Sequence, residues 1–424
     1  MELKAVRGMH DLYGEELAKW RHVETRVREV FTAFGYEEIR TPVLEKQEVF
    51  THTVGDETDI VEKQMYTVLN DATEKLVLRP EGTAAFMRAI IEHGLHRTGH
   101  PGRYYYYLPM FRHERPQKGR LRQFHQFGAE LINDPSPEAD AELIALLSAT
   151  YSAFGVTEYE IRINSVGCAD CRPTYKDILK DFFRPQLSQL CEQCQKRFER
   201  SPLRILDCKR PECQTVATPA PRILNHLCQL CATHHQTLKT RLSQANLSFI
   251  EDTNIVRGLD YYSRTAFEFT SHLLGAQSAL CGGGRYDGMS TRFGEKPFPA
   301  VGYGLGMERL MLILEAKKAN LPVSDTPLFY LAPLGEKAFA ELFRLSLSLK
   351  RKGIAAVIPY EKDKGLKWLM KQADRTQARF TVILGEDEIA KNQAVIKQMS
   401  DGSQESVDLS TLEEFLTRRS QRAT

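Results

Sequence analysis

The sequence predicts an α+β protein: an antiparallel sheet flanked by helices, a helical cysteine-rich insert, and a C-terminal α/β domain. Three observations carry this. Short β-like runs follow one another with few helices between them through the first three quarters of the chain. Eight of the nine cysteines crowd between Cys168 and Cys231. From Thr326 onward, strand and helix patterns alternate. The expected boundaries are 1–166 with 250–322 for the main domain, 167–249 for the insert and 326–424 for the C-terminal domain.

The elements follow from spacing and breakers. Leu17, Trp20, Val23, Val27, Val30, Phe31 and Phe34 recur at helical spacing, and Gly35 sits where a C-terminal cap belongs. Tyr36 to Leu44 reads as extended, with Pro42 marking an edge or bend because it donates nothing to a ladder. Strands are expected at Leu76–Leu78, Tyr104–Leu108, Gln123–Ala129, Tyr159–Ile163, Thr265–Phe269 and Ala300–Gly304. Helices fit Thr83–Glu92, Pro137–Phe154 and Leu305–Ala316. A polar linker, Ala319–Thr326, precedes Phe329–Ala332, a helix over Glu336–Arg351, Ala355–Ile358, a helix over Gly365–Ala378, and Phe380–Leu384. That β-α-β-α-β order asks for a parallel sheet.

With 424 residues, 42% apolar and 26% charged, the chain can bury several cores. No apolar run reaches the ~18 residues a membrane span needs, so a cytoplasmic location without membrane contact is expected. A net charge of +2 is too small to argue for nucleic acid. Its distribution says more. Between Lys350 and Arg379 stand Lys350, Arg351, Lys352, Lys362, Lys364, Lys367, Lys371, Arg375 and Arg379, against Glu361, Asp363 and Asp374. This is either a solvated face or a surface that neutralises phosphates.

Several arginines stand in strand and turn contexts that aim them at one site. Arg112 and Glu114 precede the loop Arg115-Pro-Gln-Lys-Gly-Arg120, and Arg257 opens Arg257-Gly-Leu-Asp-Tyr-Tyr262. Arg309 follows the glycine-rich Gly302–Gly306. In Gln123–Glu130, alternation puts Gln126 and Glu130 on one face, with Gly128 between them leaving room for a ligand. Guanidinium forks and backbone-exposing glycines suit a polyphosphate.

These residues carry a resemblance. Phe111-Arg-His-Glu114 with its loop looks like motif 2 of class II aminoacyl-tRNA synthetases. Gly302-Tyr-Gly-Leu-Gly-Met-Glu-Arg-Leu310 looks like motif 3, and Tyr36–Leu44 like motif 1. Arg257–Tyr262 and Leu280-Cys-Gly-Gly-Gly-Arg-Tyr-Asp287 resemble the signatures of the histidyl-tRNA synthetase family, and Arg79-Pro-Glu-Gly-Thr83 extends the likeness. The resemblance implies a class II catalytic domain, an insertion domain and an anticodon-binding domain. It implies ATP-dependent attachment of histidine to tRNA(His) through an adenylate, with Mg²⁺, in a homodimer.

By position, the resemblance implies that Arg112, Arg257 and Arg309 are catalytic. Arg112, Glu114, Arg120 and Arg309 would hold ATP. Glu81, Gly82, Thr83, Gln126, Glu130, Arg257, Tyr261 and Tyr262 would hold histidine. Arg115 and Gln117 would meet the acceptor end of the tRNA. A pocket that satisfies both imidazole nitrogens discriminates by ~10⁴–10⁵ without editing. Two other readings compete: a non-catalytic synthetase-like regulatory subunit, and a zinc-dependent nucleic-acid-binding protein. The first is disfavoured by the intact Arg257–Tyr262 motif and the C-terminal domain. The second leaves the arginines and the Glu81/Glu130 pair unexplained.

The cysteines pair as Cys168/Cys171, Cys191/Cys194, Cys208/Cys213 and Cys228/Cys231. Two residues between thiolates is zinc-knuckle spacing. One structural Zn²⁺ is expected, drawn from Cys191, Cys194, Cys208, Cys213, Cys228 and Cys231. Cys168 and Cys171, at a strand end, read as core thiols.

Overall fold

The computed structural model describes residues 3–54, 60–68, 74–206, 208, 210–255, 261–275, 278–322 and 327–421. Arg257 to Asp260, and 323–326 of the expected linker, lie outside the described residues. By contacts the chain divides into two units, residues 1–12 with 20–321 and residues 13–19 with 322–424.

Up to residue 321 the chain follows this order: α1 (Gly14–Ala33), β1 (Glu37–Glu38), β2 (Leu44–Lys46), α2 (Gln47–Val54), β3 (Tyr66–Val68), β4 (Leu76–Leu78), α3 (Thr83–Glu92), β5 (Gly102–Phe111) and β6 (Gln123–Ile132). Then come α4 (Pro137–Ser152), β7 (Glu160–Ser165), α5 (Cys171–Phe183), α6 (Glu192–Arg200), α7 (Pro211–Ala217) and α8 (Gln229–Gln244). β8 (Phe249–Glu251), β9 (Ser263–Thr270), β10 (Ala279–Arg285), β11 (Ala300–Gly306) and α9 (Met307–Ala316) complete it. Eight strands form one sheet in the order β1-β5-β6-β11-β10-β9-β7-β8. Every interior pairing is antiparallel, as expected. Only the edge pairings, β1 on β5 and β8 on β7, are parallel.

Alternation divides the chemistry of this sheet. One face carries Tyr105, Phe127, Ala129, Leu131, Tyr303, Leu305, Phe267 and Phe269, which pack with Trp20, Val23, Val27 and Phe31 of α1 and Leu143 to Leu147 of α4. Truncating such a side chain, Phe127→Ala for instance, costs about 3–5 kcal/mol. The other face packs Tyr106, Leu108, Met110, Ile132, Ala266 and Ala300 against Phe86, Met87 and Ile90 of α3, and beside them it is rich in glycine. In the ladders Gly128 faces Gly304, Gly302 faces Glu130, and Gly282 and Gly284 face Gly304 and Gly302. The glycine-rich stretch of this second face is a platform. α1 ends as expected, with Gly35 at φ +79° and the Tyr36 amide donating back to Phe31 O.

The smaller unit contains β12 (Phe329–Pro333), α10 (Glu336–Arg351), β13 (Ala356–Val357), α11 (Leu366–Arg375), β14 (Phe380–Leu384), α12 (Glu386–Ala390), β15 (Gln393–Gln398), β16 (Gln404–Asp408) and α13 (Leu412–Gln421). The β-α-β-α-β core is parallel, in the order β13-β12-β14. The wholly parallel expectation is corrected by β15 and β16, an antiparallel hairpin added at the edge. These strands gave a weak signal because β16, Gln-Glu-Ser-Val-Asp, buries only Val407.

Candidate active site

Glu130 lies on the glycine-rich face of the sheet and is 0% exposed. Thr83 Oγ1 donates to its Oε1 at 2.8 Å, Tyr106 donates to the same oxygen at 3.1 Å, and Tyr286 donates to Oε2. Burial pushes the Glu130 carboxyl up to about 8, against the pull of those hydroxyls and with a further push from the Glu81 charge. Three donors around one buried carboxyl make a positioned acceptor.

Glu81 is the second buried acid. Its two oxygens accept the Thr83 amide at 2.9 Å and the Ala84 amide at 2.7 Å, closing the N-terminus of α3. Burial raises this carboxyl above its ordinary range as well. A short turn therefore aims Glu81 and Thr83 at β6.

The glycines are needed here. A Cβ on Gly302 would lie 1.6 Å from Glu130 Oε2, and one on Gly304 would lie 1.9 Å from Gln126 Nε2. The sequence reading gave Gly128 the task of leaving room for a ligand. The structure corrects this. The Tyr106 ring fills that room, 2.1 Å from where a Gly128 Cβ would stand. Tyr106 and Tyr286 hold Glu130 in place, and sequence reasoning did not single them out. The available signal was the pairing of a tyrosine run with a glycine-bearing strand, Tyr106 opposite Gly128.

A cavity of about 1280 Å³ opens over this face. Glu81, Thr83, Gln126, Tyr261 and Tyr262 line it, together with Arg112, Glu114, Arg120 and Arg309. Sequence positions nearly 230 apart thus meet in one concavity. Glu130 sits behind this lining, beneath Thr83 and Tyr106. The Tyr261 and Tyr262 rings lie 4.6 Å apart, tilted by 45°, and Tyr261 meets Tyr286 edge-on at 5.7 Å.

The cations are held apart from one another by acids and backbone. Arg112 donates to Pro80 O at 2.7 Å, lies over the Phe124 ring at 5.1 Å and stands 3.9 Å from Glu114. Glu114 also lies 3.6 Å from Arg120. Arg309 donates to Ala279 O. Burial, then the repulsion of Arg120, lowers the Arg309 guanidinium below its usual range; burial lowers that of Arg112. Clustered, partly desolvated guanidinium groups favour a polyanion that relieves their repulsion.

Not every expected residue is at the cavity. Arg115 and Gln117 are exposed in the β5–β6 loop and do not line it. Gly82 lies under the Tyr106 ring. Arg257 lies outside the described residues. Arg79 turns inward: it donates to Thr41 O at 2.7 Å, Pro42 O at 3.0 Å and Pro109 O at 2.8 Å, pinning the bend at Pro42.

In the insert, the thiols gather into two groups. Cys168, Cys171, Cys228 and Cys231 form one, and Cys191, Cys194, Cys208 and Cys213 the other, each with all sulfurs within 4.8 Å. Cys168 and Cys171, expected as core thiols apart from the others, stand beside Cys228 and Cys231, which the start of α8 brings up to them. Arg204, Leu206, Gln214 and Thr218 of the insert also line the cavity.

Comparisons agree with the geometry. A family model described as histidyl-tRNA synthetase matches residues 8–310, and one described as an anticodon binding domain matches residues 329–419. The histidine–tRNA ligase of Thermotoga petrophila is 42% identical over 419 residues, covering 99% of both chains. That of Geobacter sulfurreducens is 43% identical, covering 98% of this chain and 99% of the other. The crystal structure of apo S. aureus histidyl-tRNA synthetase superposes with a TM-score of 0.84 at 33% identity, covering 98% of this chain and 99% of that one.

Proposed function

The chain belongs to the histidyl-tRNA synthetase family, and from that premise we propose how its residues divide the work of a histidine–tRNA ligase. The overall reaction is the ATP-dependent charging of tRNA(His) with histidine. In the first step the histidine carboxylate attacks the α-phosphorus of MgATP and pyrophosphate leaves. Nucleophile and target are both anionic, so the task is neutralisation and alignment.

Arg112 holds the α-phosphate and Arg309 the γ-phosphate end, with Glu114 fixing Arg112 and Arg120 between them. Arg257 stands between the histidine carboxylate and the α-phosphate. Glu81, Thr83 and Gln126 receive the α-ammonium group. Glu130 and Tyr262 take the two imidazole nitrogens, with Tyr261 beside them and Gly82 giving the Tyr106 ring its space. Arg115 and Gln117 meet the acceptor end of tRNA(His) when it arrives. No general base is required, since the nucleophile is already ionised.

The basic face of the smaller unit takes the anticodon stem and loop. Lys364, Lys367, Lys371 and Arg375 are all exposed on and before α11, and Tyr360, 70% exposed, offers a ring for a splayed base. The domain division at 1–166 with 250–322, 167–249 and 326–424 follows the same reading. So do a cytoplasmic location and a homodimer, which is supported by Val43 and Leu44 standing exposed after the pinned Pro42 bend. Among the described residues, no helix is long and apolar enough to cross a membrane.

The observation that carries the reading is the fully buried Glu130 ringed by three hydroxyl donors, just behind the lining of a cavity that arginines share. Pyrophosphate exchange with each of the twenty amino acids tests it. Exchange with histidine alone is expected; exchange with another amino acid at a comparable rate, or none with any, would overturn it.

A further inference from the structure

The ends of the cysteine-rich insert are stitched together by thiols that the amino-acid and ATP chemistry does not use. Cys168 follows β7 at the point where the chain leaves the main sheet, and Cys228 opens the helix that returns to it. Cys168 Sγ lies 3.7 Å from Cys171 Sγ and 3.8 Å from Cys228 Sγ, and Cys171 Sγ lies 3.9 Å from Cys231 Sγ. A tetrahedral ion with Zn–S bonds of about 2.3 Å places its sulfurs roughly 3.8 Å apart. A disulfide needs about 2.05 Å. An iron–sulfur cluster puts its own atoms between the thiolates and spreads them wider. The spacing fits a single tetrahedral ion.

The second group repeats the arrangement inside the module. Cys191 and Cys194 begin α6, while Cys208 and Cys213 flank the start of α7. They are packed among Tyr175, Leu179, Phe183, Phe198 and Ile205. Backbone amides already point at the sulfurs as they do around thiolates: Cys191 N donates to Cys213 Sγ at 3.2 Å, Asp170 N to Cys168 Sγ at 3.4 Å and Cys168 N to Cys171 Sγ at 3.1 Å. The histidines behind Cys231 are engaged elsewhere, His234 on Asp140 at 2.7 Å and His235 on Glu251 at 3.0 Å. Each group has four sulfurs and needs no other ligand.

We propose that the insert binds two zinc ions per chain, each held by four cysteine thiolates. The pairing is nested: the first and fourth Cys pairs close the neck of the module, and the second and third fasten its helical core. Both sites are closed and four-coordinate, so the ions are structural. The neck site also reaches toward the amino-acid pocket. Arg172, next to Cys171, donates to Tyr262 O and to Gly167 O at 3.4 Å. Zinc at the neck therefore holds the strand entry on which Tyr262 rests.

Elemental analysis of the full-length protein, grown with ample zinc and gel-filtered in the presence of EDTA, tests this. Two zinc ions per chain are expected, with zinc X-ray absorption showing sulfur-only shells at about 2.3 Å. Cys213→Ala and Cys231→Ala are each expected to lose one ion and keep the other. Should either variant fail to fold, the stoichiometry and absorption spectrum of the unaltered chain decide alone. One zinc or fewer per chain, iron in place of zinc, or nitrogen and oxygen in the shell would overturn the proposal.

Discussion

Tyr286 donates its phenolic proton to Glu130, a carboxyl buried on the glycine-rich face of the sheet. The two are 156 positions apart in the chain. β10 ends at Arg285, immediately before Tyr286, and β11 lies between β10 and β6, the strand that carries Glu130. The placement of this acid is thus set by tertiary structure.

The buried position of Glu130 has a pH signature. Its carboxyl titrates near 8 in the folded chain, raised from an ordinary 4.5. The folded state therefore holds a proton that the unfolded state has released. Any stability gained is full below about 4.5 and is lost as pH rises through about 8. Thermal melts of the unliganded protein between pH 5 and 9 should show this decline, and Glu130→Gln should flatten it. A parallel decline in both proteins would assign the effect to other groups.

Gly302→Ala should damage the pocket without adding or removing a charge. Its Cβ would overlap Glu130 Oε2 and stand 2.8 Å from Ala129 O, so the carboxylate must move. The histidine KM should rise at least tenfold, equivalent to about 1.4 kcal/mol, with the ATP KM changed far less. Steady-state pyrophosphate exchange measures both.

Asp140 predicts a stability effect remote from the ligands. It is 0% exposed and accepts from Arg285 at 2.5 and 2.9 Å, from Thr265 at 2.5 Å and from His234 at 2.7 Å. Burial pushes this carboxyl up, but Arg285 and His234 outweigh it and hold it below its ordinary range. Its stabilisation is present above pH 3.8 and is lost on acidification below that. Asp140→Ala leaves the buried Arg285 guanidinium with Asp287, at 3.2 Å, as its remaining carboxylate partner and should cost about 3 kcal/mol at neutral pH, read by urea denaturation.

The basic face of the smaller unit should act on tRNA alone. Lys367→Ala with Lys371→Ala should weaken tRNA binding and reduce the salt dependence of its affinity by about one unit of slope per phosphate contact. Adenylate formation without tRNA should not change. Filter binding across a salt series and pyrophosphate exchange measure the two effects.

Local sequence displayed the pieces that have local causes. The α1 stripe, the Gln126/Glu130 face and the paired cysteines follow from period and spacing alone. What was hidden depends on pairing at long range. β10 contains Cys281-Gly-Gly-Gly284, which has no intrinsic strand preference, and it is extended because β9 and β11 clasp it on both sides. A Cβ on Gly283 would meet Gly302 O at 2.3 Å, so the glycines are set by that close packing. The partnership of Cys168 with Cys228 was invisible for the same reason, being closed by a helix 60 residues later. Arg79 opens one of the motifs yet binds backbone carbonyls and does not line the cavity.

The histidine KM of Glu130→Gln, measured by pyrophosphate exchange beside the unaltered chain, bears most directly on the pocket. Glutamine keeps the size but cannot ionise when the imidazole binds, so a hydrogen bond to a charged partner worth about 1.5–3 kcal/mol should be lost. That corresponds to a KM roughly 10- to 150-fold higher, with the ATP KM nearly unchanged. An unchanged histidine KM would contradict the account, because the imidazole would then be read by some other group.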